Sequence, residues 1–359
     1  MRLAVRLPVT FDPATHGLMP TAVERWLCER VLPECLDSAR GLYELMPRQR
    51  GQLPFVDVPY DAFSESHWAE ATRIADYAAH APDGARCVLD IGPGDGWPAL
   101  PVAAMRQDLD VVGVDPSPVR VRVCTTTAER LGLANARFVV GDGARLPFGD
   151  ATFDLVTAAS SIEEASEPEA VLAECVRVLR PGGVLRASAQ DWRLGVPGFE
   201  TMMLWEGAGT RFYTYVRRVQ EPAIERRYTV GLDGSDEAVR LHTEALIEVA
   251  AGRRVYGETL LSESLGAELL ERFAPHIVQA NVVEMQRWST PAFVEALRRT
   301  GFREARATVH AGELGRRFAR GVLARGTMTE FAPLFAEATS ALGGLAGSQV
   351  GDAMVTAIR

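Results

Sequence analysis

Three glycines at alternate positions follow a short apolar run in the stretch VLDIGPGDGWPAL, residues 88–100. Glycine lets the backbone turn sharply, and it lets a ligand approach where any Cβ would intrude. The apolar run indicates a buried strand, and the residues from about Trp97 indicate a helix whose first N–H groups face the turn. A strand, a glycine turn and a helix in this order predict a ligand-binding loop at the edge of a sheet.

Strand-like and helix-like patterns alternate from about residue 87 to about residue 190. The strand-like runs are CVLDI (87–91), VVGVD (111–115), RFVVGD (137–142), FDLVTAAS (153–160) and VLRASA (184–189). Helical patterns lie between them, and the clearest is SEPEAVLAECVRVL at 166–179. Alternation at this pitch predicts an α/β fold, in which a doubly wound parallel sheet has right-handed crossovers and helices on both faces.

These patterns divide the chain into four segments. Residues 1–80 are expected to form an N-terminal helical cap, and residues 81–190 the core with alternating strands and helices. Residues 191–285 contain long helical patterns such as SDEAVRLHTEALIEVAAG, so an inserted helical lobe is expected there. Residues 286–359 are expected to complete the core sheet with the strands REARATVH and DAMVTAIR, separated by a further helical insertion.

Composition restricts the partners. The formal net charge of -9 argues against a nucleic-acid binder, which usually has a basic face, although arginines and aromatic residues alternate at 211–228. Five cysteines without any CxxC pair indicate reduced thiols, a cytoplasmic protein and no metal site. No apolar run reaches the roughly 18 residues of a membrane span, so no membrane partner is expected. The oligomeric state is left open, a homodimer included.

An acidic residue ends each of the two strand-like runs that follow the glycine loop. Asp115 lies about 20 positions after the loop, the spacing at which an acidic side chain binds the hydroxyls of a ribose. The loop and Asp115 together admit both dinucleotides and nucleosides, so a nicotinamide-dependent oxidoreductase is still an alternative at this point. Asp142 ends the next run, where its carboxylate can accept from an adenine amino group. This position favours an adenine nucleoside.

The motifs together resemble the class I S-adenosylmethionine-dependent methyltransferases of the small-molecule type. The family pattern is matched by VLDIGPGDG, VVGVDPSP, GDGARLPFGDATFDLV and EAVLAECVRVLRPGGVL, in this order over about residues 87–189. The resemblance implies a Rossmann-like, doubly wound seven-stranded sheet with a reversed last strand. It also implies that S-adenosyl-L-methionine is the cofactor and that a small organic acceptor binds between the core and the helical lobe. The alternatives are an RNA or protein methyltransferase, a non-methylating cofactor-binding module and, less favoured, the oxidoreductase.

The resemblance also assigns cofactor contacts to residues of this chain. They are Tyr60, Asp90, Gly92, Gly94, Gly96, Asp115, Pro116, Asp142, Gly143, Ala144 and Ser160. The glycines and Asp90 would face the methionine and ribose parts, Asp115 the ribose, and Asp142 with its two successors the adenine. Ser160 would lie near the sulfonium, and Tyr60 would close the pocket from the N-terminal segment.

The chemistry itself needs few side chains. A methyl group on a sulfonium is already activated, so the enzyme mainly aligns the acceptor and excludes water. If the acceptor is a hydroxyl, a nearby base helps, and the candidates are His67 and Glu163. For Glu163 the alternative role is a favourable contact with the start of a helix. The sequence does not distinguish O-, N- and C-methylation, and it does not name the acceptor.

Overall fold

The computed structural model describes residues 11–36, 65–188, 199–207, 209–252, 254–255, 258–309, 311–324, 335–343 and 353–359. The chain divides into two compact units. The core unit consists of Arg50–Asp191 and Trp288–Arg359, and the antiparallel unit consists of Met1–Gln49 and Trp192–Arg287. Across the described ranges, none of the helices combines the length and the apolar character needed to span a bilayer.

The elements are numbered in chain order. The strands are β1 (Glu34–Leu36), β2 (Cys87–Ile91), β3 (Asp110–Asp115), β4 (Ala136–Val140), β5 (Phe153–Ala159), β6 (Leu179–Ser188), β7 (Glu200–Gly207), β8 (Thr210–Val219), β9 (Ile224–Leu232), β10 (Arg254–Val255), β11 (Glu258–Leu260), β12 (Ile277–Gln286), β13 (Glu304–Val309) and β14 (Ala353–Ile358). The α-helices are α1 (Ala22–Arg30), α2 (Glu65–Ala79), α3 (Ala99–Met105), α4 (Pro118–Leu131), α5 (Pro168–Val178), α6 (Asp236–Ala251), α7 (Ala267–Phe273), α8 (Thr290–Arg299), α9 (Gly312–Leu323) and α10 (Phe335–Gly343).

The core unit contains the expected seven-stranded sheet, in the order β13-β14-β6-β5-β2-β3-β4. Strands β2 to β6 are parallel, and β14 is antiparallel to both of its neighbours. The prediction that REARATVH and DAMVTAIR complete this sheet is confirmed, since they supply β13 and β14. Because parallel strands end at the same edge, the loops after β2, β3, β4 and β5 lie along one side of the sheet.

Helices cover both faces of this sheet, and successive residues of β2 point to opposite layers. Leu89 packs in a cluster with Leu172 of α5 and Leu297 of α8. Val88 packs on the other side with Ile74 of α2 and with residues of α3. Because β2 is packed on both of its faces, the point at which the glycine loop begins is fixed.

The antiparallel unit contains a second seven-stranded sheet, in the order β1-β12-β9-β8-β7-β11-β10. Only the short β1 is parallel to its neighbour, β12. The helical patterns at α6 and α7 are confirmed. The two described α-helices of residues 1–80 fall in different units, α1 in this one and α2 in the core unit.

The prediction of a helical lobe for residues 191–285 is wrong over β7 to β12, which all belong to this sheet. Tyr213 and Tyr215 are buried on one face of β8, and Phe212 and Thr214, which alternate with them along the strand, are buried on the other face. When both faces are buried, apolar residues no longer alternate with polar ones, and spacings of three and four arise by chance. Trp205 stacks on Phe212 across β7 and β8, with ring centroids 4.0 Å apart. The aromatic and β-branched residues of TRFYTYVRRV are the strand signal.

The arginines of residues 211–228 are ion-paired within the antiparallel unit. The pairs are Arg211 with Glu206, Arg217 with Glu24, Arg218 with Glu225 and Glu258, Arg226 with Glu24 and Glu284, and Arg227 with Glu225. Arg226 and Glu24 are fully buried. Each of these cations has a counter-charge, so the stretch does not form a basic surface of the kind that binds nucleic-acid phosphates.

A buried ion pair links α2 to β6, the strand beside the reversed β14. The guanidinium of Arg186 donates two hydrogen bonds to the carboxylate of Asp76, at 3.0 and 2.9 Å, and both side chains have no exposed surface. Arg186 also donates to the hydroxyls of Thr356, at 2.9 Å, and Thr308. The N–H of Ala311 donates to Asp76. One pair of charges therefore joins α2, β6, β13 and β14.

Burial raises the pKa of Asp76, but a hydrogen bond from His80 and the charge of Arg186 outweigh it, so this pKa lies below its usual range. The Nδ1 of His80 lies 3.1 Å from the carboxylate. The carboxylate is therefore the charged partner that Arg186 needs.

We expect Asp76→Ala to lower the free energy of unfolding by about 3 to 5 kcal/mol, because Arg186 would stay buried without its counter-charge. Urea denaturation measures this. Asp108→Ala is the control, since its ion pair with Arg106 is exposed, and it should leave the unfolding midpoint unchanged.

The difference in stability between wild type and Asp76→Ala should also depend on pH. Asp76 has a lower pKa in the folded protein than the value of about 4 in the unfolded chain, so its carboxylate stabilises the folded state above about pH 4. This contribution is lost as the pH falls through the folded-state pKa. The difference in free energy of unfolding between wild type and Asp76→Ala should therefore decrease below about pH 4. Equal losses in the two aspartate variants would contradict the role of the buried pair.

Candidate functional site

The glycine loop after β2 has left-handed backbone at each of its alternate glycines. The φ values are +66° at Gly92, +55° at Gly94 and +112° at Gly96. A Cβ at Gly92 would lie 2.6 Å from the Cβ of Ser161, and one at Gly96 would overlap the side chain of Leu100. A Cβ at Gly94 would meet nothing within 4 Å. Packing therefore requires the outer glycines, whereas Gly94 presents bare backbone to open space.

The carboxylate of Asp115 fixes the position of this loop. It accepts hydrogen bonds from the N–H of Gly94, at 3.1 Å, and from the N–H of Ser117, at 2.9 Å. Asp115 ends β3 and is only 7% exposed. The thiol of Cys124 in α4 donates to the carbonyl of Gly94 from the other side. The open glycine is thus held between two neighbouring elements.

Asp90 lies one residue before the end of β2 and is fully buried. Its carboxyl accepts from the N–H of Ala99, at 3.1 Å, and from the hydroxyl of Thr157, at 2.8 Å. Burial raises the pKa of Asp90 well above its ordinary value, and Asp115 raises it further, while the two hydrogen bonds lower it. Asp90 therefore anchors the start of α3 to β5, and its contact with the cofactor's amino group stays a prediction.

The turn after β4 begins with the exposed Asp142. Its carboxylate accepts from the N–H of Ala144, at 2.9 Å, which closes the turn. A Cβ at Gly143 would lie 3.4 Å from Ile91, the last residue of β2. Asp142 and its two successors therefore lie beside the start of the glycine loop, and Pro116 lies exposed after β3.

The segment after β5 lies at the same edge of the sheet as the glycine loop. Ser160 is exposed and has a φ of +53°, although it is not a glycine, and its N–H donates to the carbonyl of Ser188. Such a conformation costs about 1 to 2 kcal/mol and persists only where the surrounding structure fixes it. The hydroxyl of Ser161 donates to the carbonyl of Ile91. Glu163 follows in a 3₁₀ turn and is 5% exposed.

The core unit thus brings most of the predicted site residues to the carboxyl edge of its sheet. Asp90 and the glycines come from β2 and its loop, Asp115 and Pro116 follow β3, Asp142 follows β4, and Ser160 and Glu163 follow β5. Two predicted residues are not part of this picture. Tyr60 lies outside the described residues, and His67 lies on α2 with its side chain outside them. The binding and catalytic roles all stay predictions.

Sequence reasoning missed two cations beside the loop. Arg120 of α4 pairs with Asp95, which lies between the last two glycines. Arg73 of α2 lies over the ring of Trp97, with the guanidinium carbon 5.2 Å from the ring centroid. In the sequence both arginines occupy polar positions of amphipathic helices, which usually face water, so no local signal distinguishes them. Within the described ranges, no three His, Cys, Asp or Glu side chains are grouped as metal ligands.

The described residues fit an adenosyl cofactor. Open space adjoins the backbone of Gly94, and carboxylates follow the next two strands of the sheet, Asp115 after β3 and Asp142 after β4. Carboxylates accept hydrogen bonds from ribose hydroxyls and from an adenine amino group, and they attract a sulfonium. The edge therefore has the hydrogen-bond acceptors that such a nucleoside requires.

Comparison with known proteins assigns the family. Residues 89–187 match the family model described as a methyltransferase domain. A ubiquinone biosynthesis O-methyltransferase of Rhizobium rhizogenes strain K84 is 30% identical over 185 residues, which are 50% of this chain and 71% of that relative. The chain belongs to the class I S-adenosylmethionine-dependent methyltransferases. The cofactor of this family member is S-adenosylmethionine.

Other relatives match a shorter part of the chain. A demethylmenaquinone methyltransferase of Renibacterium salmoninarum is 35% identical over 132 residues, 37% of this chain and 52% of that protein. An uncharacterized methyltransferase of Mycobacterium sp. strain JLS is 32% identical over 133 residues, 37% of this chain and 50% of that protein. The chain spans 50 to 58% of the length of three such Mycobacterium relatives. The solved structure of the CcbJ methyltransferase from Streptomyces caelestis aligns with a TM-score of 0.47 at 16% identity, covering 90% of this chain and 96% of that chain.

We expect Gly96→Ala to lower the free energy of unfolding by about 2 to 4 kcal/mol, because the new methyl group would meet the buried Leu100 in a strained conformation. Gly94→Ala is the matched variant, and it should cost only the strain of left-handed backbone, about 1 to 2 kcal/mol. Chemical denaturation of both variants measures the difference. A larger loss for Gly94→Ala than for Gly96→Ala would show that the packing at the two glycines is assigned the wrong way round.

Proposed function

We propose that this protein transfers the methyl group of S-adenosylmethionine to a small organic acceptor. The observation that carries the proposal is the open left-handed backbone of Gly94, held by Asp115 and flanked by Asp142 at the next strand end. A nucleoside bound there would have carboxylates beside its ribose and its adenine. Family membership supports methyl transfer as the reaction.

The proposed cofactor contacts are distributed along the edge of the core sheet. Asp115 binds the ribose hydroxyls, since its carboxylate is oriented by the two backbone N–H groups that it accepts from. Asp142, Gly143 and Ala144 contact the adenine, with Pro116 beside it. Gly92, Gly94 and Gly96 give the backbone room for the rest of the nucleoside. Tyr60 is proposed to cover the pocket, and Asp90 is proposed to bind the amino group of the cofactor.

When bound, the cofactor supplies a methyl group that is already activated on a sulfonium. The chain then has to orient the acceptor and to exclude water from it. Ser160 and Glu163 follow the strand next to the glycine loop, which is the reason to propose them for the region near the reacting centre. Glu163 and His67 are the proposed bases for an acceptor that loses a proton.

Two observations support a small organic acceptor. The relatives from Rhizobium rhizogenes and Renibacterium salmoninarum carry names that refer to ubiquinone biosynthesis and to demethylmenaquinone, and both names point to quinones rather than to macromolecules. The arginines of residues 211–228 form ion pairs with carboxylates of this chain. This pairing and the net charge of -9 disfavour RNA as the acceptor.

Binding of S-adenosylhomocysteine should weaken by about 1 to 3 kcal/mol in Asp115→Ala, because charge-assisted hydrogen bonds to the ribose are lost. Isothermal titration calorimetry measures the affinity, and thermal unfolding of each variant checks that the protein is still folded. Asp108→Ala is the control, since Asp108 precedes the opposite end of the same strand, and its affinity should match wild type. Unchanged affinity in Asp115→Ala would exclude the ribose contact, and tight binding of NADH instead would exclude the cofactor assignment.

The acceptor class is tested with S-adenosylmethionine carrying a radiolabelled methyl group. The protein is incubated with hydroquinols and naphthoquinols and, in separate reactions, with bulk RNA and with bulk protein. We expect label in the extracted small molecules alone. Label in the RNA or protein fraction would favour a macromolecular acceptor, and binding of cofactor without any transfer would favour a non-methylating module.

A further inference from the structure

The antiparallel unit contains a cavity of about 680 Å³ beside the start of α1. Its walls come from the stretch 19–25, from Glu200 at the start of β7 and from the stretch 261–268, all within that unit. We call it the α1 cavity. Ligand pockets in proteins measure roughly 300 to 1,000 Å³, so it has room for a small organic molecule. The proposed cofactor contacts all belong to the core unit, and none of them lines this cavity.

Part of the lining of the α1 cavity is apolar. Val23 and Leu261 contribute to it, and so does Met19, which is 80% exposed. A second cavity of about 400 Å³ adjoins the first at Glu200, and it is lined by Phe199, which is 63% exposed. Large apolar side chains that stay exposed beside a concave surface indicate a place where an apolar group of a ligand is removed from water.

A chain of hydrogen bonds fixes the carboxylate of Glu200, which lines the α1 cavity and is half-buried. The hydroxyl of the fully buried Tyr215 donates to its Oε1 at 2.6 Å. Tyr215 has only that one proton, so the hydroxyl of Thr21, 2.8 Å away, is the donor to the Tyr215 oxygen. Thr21 in turn accepts from the N–H of Glu24 in the capping box of α1. Among the described residues no donor reaches Oε2 of Glu200, so this oxygen is open to a ligand.

The charged side chains that line the α1 cavity are mostly acidic. Glu200, Glu263 and Glu268 line it, against the single guanidinium of Arg25. None of these four side chains forms an ion pair within the described part of the chain, whereas every arginine of β8 and β9 has a counter-charge there. A cationic ligand group would therefore give Glu200 a counter-charge that no described residue supplies.

We propose that the α1 cavity binds a small organic ammonium ion. The ammonium group donates to Oε2 of Glu200, and the apolar part of the ligand is buried against Met19 and Leu261. The acidic majority of the lining disfavours an organic anion. A bare metal ion does not suit the cavity either, since the described residues include no group of three His, Cys, Asp or Glu side chains that could hold one.

Methyl NMR on protein with ¹³C-labelled methionine methyl groups measures binding at the cavity itself, because Met19 lines it. The Met19 signal is identified by its loss in Met19→Leu. The protein is titrated with 2-phenylethylamine, which is protonated at neutral pH as a lysine amine is. A separate titration uses 2-phenylethanol, which has the same ring and chain but no charge. The methyl group of Met354, 1% exposed on β14 of the core unit, is the reference signal.

The Met19 signal of wild type should shift and saturate as the amine is added, and the Met354 signal should stay in place. The alcohol should bind wild type about 5- to 30-fold more weakly than the amine, because it makes no charge-assisted pair with Glu200. Glu200→Gln should weaken binding of the amine by the same factor and change binding of the alcohol by less than about threefold. Glu206→Gln is the matched control, since it removes the same charge at the other end of β7, and it should bind the amine as wild type does.

The inference is overturned if the amine leaves the Met19 signal of wild type unmoved, or if Glu200→Gln binds the amine as tightly as wild type does. Should Glu200→Gln fail to fold, the two ligands decide on wild type alone, and equal affinity for amine and alcohol overturns the inference. The experiment uses neither S-adenosylmethionine nor methyl transfer, so its failure is distinct from a failure of the proposed function.

Discussion

The hydrogen bonds from the N–H groups of Gly94 and Ser117 to the carboxylate of Asp115 are the contact on which the proposed site depends. They join the end of β3 to the loop after β2, and they hold that loop with its middle glycine open. Further contacts fix the same edge, because Ser161 is bonded to Ile91 and the backbone of Ser160 to β6. The ends of four neighbouring strands are therefore held relative to one another before any ligand binds, which reduces the entropy that binding costs.

The core sheet and this edge could be predicted because the information lies in short segments. The alternate glycines, Asp115 and Asp142 each follow an apolar run, and each is positioned by a strand end within a few residues. All three glycines have the left-handed φ that glycine adopts without strain, in agreement with the sharp turn expected there. The reversed direction of β14 was instead expected from the family resemblance, because no feature of DAMVTAIR indicates which way the strand runs.

Other features could not be predicted because they depend on residues far apart in the sequence. Asp76 and Arg186 are separated by 110 positions, and each taken alone resembles a surface charge. The position of Arg73 over Trp97 depends in the same way on how α2 packs against the sheet. In the antiparallel unit, burial on both faces of β8 removed the alternation that identifies a strand, and the helical prediction failed for that reason.

The place of β14 in the core sheet has a consequence for how the chain folds. Arg186 of β6 bonds to Thr356 of β14 across 170 positions of sequence, a large part of which belongs to the antiparallel unit. During synthesis, β6 is complete long before its partner leaves the ribosome. In that interval its outer backbone groups form an unpaired edge, which is the kind of surface that recruits chaperones or pairs with another nascent chain.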